Sequence, residues 1–83
     1  MKTIWKYKID VVDGPQIIDM PIDADIRKIK GGFFWATVNL ENKLEERTFL
    51  VHGTGDEITD SHCKYYIGTW FEGPFVWHLF EVK

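Results

Sequence analysis

The stretch His52-Gly53-Thr54-Gly55-Asp56 holds the residues of this sequence best suited to gripping a small ligand. Glycines let backbone amides approach an anion and a threonine hydroxyl adds a donor, so Gly53, Thr54 and Gly55 form a candidate anion-binding turn. Phosphate loops of the known kinds add a helix N-terminus or a lysine in register, and here the acids Asp56 and Glu57 follow instead. A plain strand-exit turn accounts for the same residues. Asp56, Glu57, Asp60, His62 and Cys63 mix hard and soft metal ligands, but no CxxC, HxxxH or calcium-loop spacing joins them, so no metal site is expected.

Nucleophilic chemistry is suggested only by Ser61 and Cys63 on either side of His62. Adjacency is poor evidence for a dyad, because neighbours in an extended chain point to opposite faces, and no third group or GxSxG motif completes it. His78 stands among Trp77, Leu79 and Phe80, where a hydrogen-bonded, partly buried ring is expected in place of a ligand or base. The carboxylate pairs Glu45 with Glu46 and Asp23 with Asp25 read as solvated positions near turns. The expectation is a protein without catalytic residues, metal or cofactor.

The elements that would position these residues are strands. Trp5, Tyr7, Ile9 and Val11 alternate with Lys6, Lys8 and Asp10, the period of two of a strand with one wet face. Asp13-Gly14-Pro15 supplies a turn into a short strand from Gln16, which Met20-Pro21 ends. Ile26 and Ile29 are three apart, which implies a bulge in the segment Ala24 to Lys30 before a Gly31-Gly32 hairpin turn. Phe33 to Leu40 and Leu44 to Val51 are expected to pair as a hairpin through Glu41-Asn42-Lys43. A loop from His52 to Lys64 precedes two closing strands, Tyr65 to Glu72 and Phe75 to Val82, joined through Gly73-Pro74. No stretch repeats at 3.6 residues, so the fold class is all-β: one domain over residues 1–83, a small antiparallel sandwich or barrel of six to seven strands with little or no helix.

Of 83 residues, 45% are hydrophobic and 28% charged, the balance of an ordinary globular chain. A single cysteine, no apolar run long enough for a bilayer and no signal-peptide pattern point to the cytoplasm. A net charge of −3 and an isoelectric point near 5.5 argue against general nucleic-acid binding. Lys2, Lys6 and Lys8, with the cluster Arg27, Lys28 and Lys30, then read as part of a mixed, solvated surface.

Four Trp, three Tyr and six Phe residues are expected to be mostly core. Two strands nevertheless carry apolar residues on both faces. In one, Phe34, Ala36, Val38 and Leu40 are opposed by Phe33 and Trp35; in the other, Phe75, Trp77 and Leu79 are opposed by Val76, Phe80 and Val82. One such face must be covered by the 52–64 loop or the neighbouring layer, or else serve as a subunit interface or ligand platform, for which Phe33, Trp35 and Trp70 are the candidates. A homo-oligomer through these strands is expected.

Several short stretches carry a family resemblance: Ile4-Trp5-Lys6-Tyr7, Met20-Pro21 followed by Ala24 and Ile26, Trp35-Ala36-x-Val38, Gly53-Thr54-Gly55, Tyr66-Ile67-Gly68-Thr69 and Val76-Trp77-His78-Leu79-Phe80-Glu81. In order and spacing the sequence resembles a family of small uncharacterised proteins encoded by bacteriophages and prophage-bearing bacteria. Many members place a histidine or proline after the Gly-Thr-Gly where this chain has Asp56 and Glu57. The resemblance implies an accessory protein of infection that works by binding in the host cytoplasm, foremost as an inhibitor docked on a host or defence protein. It also admits an oligomeric sponge for a nucleotide signal, with Gly53-Thr54-Gly55 and Arg47 or Arg27 on phosphate and Trp35 or Trp70 stacked on a base, or a small virion or assembly component.

Overall fold

A computed structural model of the chain describes residues 1–58 and 65–83, which form an all-β sandwich of two antiparallel sheets. The strands are β1 (Lys2–Lys8), β2 (Gln16–Pro21), β3 (Asp25–Lys30), β4 (Phe33–Asn39), β5 (Leu44–Gly53), β6 (Tyr65–Glu72) and β7 (Phe75–Val82). One sheet has the order β1-β4-β3 and the other β2-β5-β7-β6. No helix long and apolar enough to cross a membrane occurs among the described residues.

The alternation in β1 is the expected one, but the strand is displaced toward the N-terminus. Lys8 pairs with Phe33, the first residue of β4, so nothing remains for a strand to pair with beyond it. Ile9 instead turns into the core and donates its N–H to the Gly32 carbonyl at 2.8 Å, while Val11 is exposed and outside the strand. Gly31 and Gly32 take φ of 59° and 82°, the left-handed pair a tight β3–β4 hairpin needs. The bulge falls where the isoleucine spacing requires it, between Ile26 and Lys28, with Arg27 as the extra residue. The expected pairing of the fourth and fifth strands is corrected: β4 pairs with β1 and β3, β5 with β2 and β7, and the short link between them crosses from one sheet to the other. Both strands bury a row of large residues, and placing those rows face to face in two layers hides both.

The core lies between the sheets. Phe34, Ala36 and Val38 of β4 look toward Met20, Phe49, Trp70 and Leu79 of the other sheet. The Phe34 and Phe49 rings meet at 5.4 Å across the layers, and Tyr7 stacks on Phe34 at 5.2 Å. Contacts between the sheets' strands run from β3 to β6 and from β2 to β4. At the first of these, Gly68 lets β6 come so close that a Cβ on it would overlap Ile29 Cγ2. A polar tie supplements the core. Arg47 donates from Nε and Nη2 to Glu81 at 2.6 and 2.7 Å, and from Nη1 to the Ala24 carbonyl at 2.7 Å, fastening the β2–β3 crossover to the second sheet. The hydrogen bonds to Glu81 raise the pKa of Arg47 against the opposing effect of burial.

Candidate functional site

In an antiparallel sheet, directly paired residues share a face, so the registers state which side chains meet. On the outer side of the four-stranded sheet, Leu50 of β5, Phe80 of β7 and Tyr66 of β6 form one row across three strands. His52, His78 and Thr69 form the next, followed by Val76 with Phe71. The Phe80 ring takes both His52 and Tyr66 edge-on, each at 5.7 Å. Phe71 is 76% exposed and Tyr66 56%. No described strand of the other sheet packs over this face.

Four of its polar side chains are tied to one another. His78 Nε2 lies 2.8 Å from Thr54 Oγ1 and its Nδ1 lies 2.8 Å from Thr69 Oγ1, while the Tyr66 hydroxyl pairs with Thr69 Oγ1. A neutral imidazole needs one donor and one acceptor, and two rotatable hydroxyls supply them in either tautomer. His78 is the partly buried, hydrogen-bonded ring that its apolar neighbours in the sequence imply.

Three backbone donors at the turn after β5 are already taken by the protein. Gly53 N–H donates to Asp56 Oδ2 at 2.7 Å, Thr54 N–H to the Val76 carbonyl at 3.1 Å, and Asp56 N–H closes back on the Gly53 carbonyl at 3.0 Å. Gly55 takes φ of 94°, which the turn requires. The carboxylate of Asp56 thus stands where an anion would be gripped. Arg47 does not join this turn: six residues away along β5, roughly 20 Å, it is committed to Glu81. Gly53, Thr54, Gly55 and Arg47 therefore do not converge.

The three residues expected to form an aromatic platform also separate. Trp70, 3% exposed, belongs to the core on the inner side of β6, which corrects its place among candidate surface rings. Phe33 and Trp35 lie together on the outer side of the three-stranded sheet, opposite to the buried Phe34, Ala36 and Val38. Asp60, Ser61, His62 and Cys63 lie outside the described residues. Among the described residues no three His, Cys, Asp or Glu side chains converge as metal ligands would.

Sequence reasoning found the second apolar face of β7 and missed its continuation onto β6. Counting by two from Tyr66 leads to Gly68 and Trp70, which would put Tyr66 on the face of Trp70, the core side in the structure. The bulge between Tyr66 and Gly68 resets that count, turning Ile67 toward the core and Tyr66 outward beside Phe80. The Gly68 directly after Ile67 is the local signal for such a bulge.

No curated protein and no solved structure matches the chain. A family model described as a domain of unknown function, DUF7352, matches residues 1–83. The chain belongs to that family, whose model matches it over its whole length.

Proposed function

We propose that the protein is a non-catalytic binding protein of bacteriophage type, which docks on a host or defence protein through the outer face of β5, β7 and β6. One observation supports this above others: that face is largely apolar, and four of its polar side chains are already paired with one another. Leu50, Val76, Phe80 and Val82 supply the centre, Tyr66 and Phe71 stand toward the β6 edge, and Thr54, His78, Thr69 and Tyr66 bond to one another. A partner can dry these four groups without breaking the bonds among them, and the aromatic rings are of the type that carries most binding energy at interfaces. The phage assignment comes from the sequence resemblance, and with it the host cytoplasm as the place of action.

Affinity capture from phage-infected host lysate, followed by calorimetry with the purified captured protein, tests this reading. Phe71→Lys should weaken that binding at least tenfold, equivalent to about 1.4 kcal/mol. Equal binding by wild type and Phe71→Lys removes the face from consideration. A dimeric mass in light scattering that Phe71→Lys reduces to monomer would assign the face to a second copy of the chain.

A further inference from the structure

We propose that the outer face of the three-stranded sheet is a binding strip for single-stranded nucleic acid, with Phe33 and Trp35 stacking on bases and the flanking lysines holding phosphates. The registers of β1 and β3 against β4 put a lysine on both sides of each ring: Lys6, Trp35 and Lys28 form one cross-strand row, and Lys8, Phe33 and Lys30 the next. The arrangement lies apart from the apolar face of the other sheet and does not depend on its function.

The charge distribution selects the occupant. Six cations, Lys2, Lys6, Lys8, Arg27, Lys28 and Lys30, fall on β1 and β3, where Asp25 is the one acid. Asp25 is held by Arg27 at 3.2 Å, and Asp10 stands 3.7 Å from Lys8 at one end of the rows; both pairs are exposed and weak. The protein's net charge of −3 conceals this segregation, since the acids outnumber the cations on the other five strands. Electrostatic recognition responds to the local field, so a basic strip attracts a polyanion whatever the total.

The rings narrow the polyanion to one with flat faces to offer. Lys6 Nζ lies 4.2 Å above the Phe33 ring and 5.8 Å from that of Trp35, so the ring faces already receive a cation from the solvent side. Rings two residues apart on a strand are roughly 6.5 Å apart, with lysine strands about 4.8 Å to either side. Bases of an extended single strand can lie along β4 while the backbone runs beside β1 or β3, the mode in which aromatic sheets take unpaired bases. A duplex keeps its bases stacked away from such rings. An acidic peptide would satisfy the lysines and leave the rings unused.

Fluorescence anisotropy with a labelled twelve-residue oligothymidylate tests the strip, alongside a duplex and a polyglutamate peptide. Four phosphate contacts predict a slope of log affinity against log salt of about −3. Trp35→Ala should weaken binding about tenfold or more, as loss of a stacked base does, and Lys28→Glu should weaken it and flatten the salt slope. Lys28 is exposed and its replacement should leave the fold intact, so the test survives if Trp35→Ala fails to fold. Failure to bind the oligonucleotide at low salt, equal binding of polyglutamate or duplex, or wild-type affinity in Lys28→Glu overturns the proposal.

Discussion

β4 and β7 are interior strands that carry apolar residues on both faces, and their outer faces come to opposite ends. On β4, Phe33 and Trp35 each stand between lysines contributed by β1 and β3. On β7, Val76, Phe80 and Val82 are continued by Leu50 on one side and by Tyr66 and Phe71 on the other. Similar central strands thus give a basic strip studded with rings on one sheet and a broad apolar face on the other. The outer chemistry of a sheet is decided by the neighbours its register brings alongside, not by the central strand alone.

Both outer faces rest on one shared core, and the tie between the sheets is where that core is most vulnerable. Arg47 and Glu81 side chains are 14% and 5% exposed. Glu81→Ala would leave the guanidinium without its partner in a buried setting, with an expected loss of about 3 kcal/mol in urea unfolding. Because Arg47 also anchors the Ala24 carbonyl, both outer faces should lose binding together in this variant. Next in size is Gly68→Ala, which drives a methyl into Ile29 where β3 meets β6. Overpacking there should cost about 1–3 kcal/mol, read as a lower melting temperature. Ile29→Val opens no room at Cγ2 and should rescue little, whereas Ile29→Ala should recover part of the loss.

A smaller effect sharpens the contrast between two tyrosines. Tyr66 lies on the outer face with its hydroxyl bonded to Thr69, while the hydroxyl of Tyr7 is buried against the core without a hydrogen-bond partner. Burial pushes the pKa of Tyr7 above its ordinary value of 10.0, with the charge of Arg47 opposing the shift. A phenol whose folded pKa is raised lends stability below the unfolded pKa. That contribution declines as pH rises past about 10 and through the folded value, because the unfolded state sheds the proton more readily. Tyr7→Phe should therefore flatten the loss of stability between pH 9 and 11 relative to wild type, in matched denaturation curves. At neutral pH it should be neutral or stabilising by up to about 1 kcal/mol, since it removes an unsatisfied donor.

Much of this was legible in the residues. The period of two in Trp5 to Lys8, the Gly31-Gly32 turn and the offset of Ile26 from Ile29 fix three strands and a bulge by local rules. The sheet to which a strand belongs is not local. Phe33 to Leu40 and Leu44 to Val51 look like a hairpin because a short polar link joins them, yet each has a better partner elsewhere and a large row to bury against the other. The candidate sites followed the same division. His78 declared its paired, partly buried state through its neighbours. Tyr66 was hidden by a bulge that reversed its parity, and the lysine rows appear only when β1 and β3 are laid on either side of β4. Lys6 and Lys28 are 22 positions apart, and nothing in composition or net charge links them through Trp35.

The smallest expected effect on stability is the most discriminating for function. Lys28→Glu and Phe71→Lys both alter exposed positions away from caps, ion pairs and the core, so each should stay within about 0.5 kcal/mol of wild type. Each adds a charge opposed to what its own face offers: the first breaks the row Lys6, Trp35, Lys28, and the second puts an ammonium beside Val76. If the faces act separately, Lys28→Glu should lose the oligonucleotide and keep the protein partner, and Phe71→Lys should do the reverse. Coupled loss in both, measured by anisotropy and calorimetry on the same preparations, would mean that one ligand spans the β3–β6 side of the sandwich, where Gly68 brings the two sheets closest.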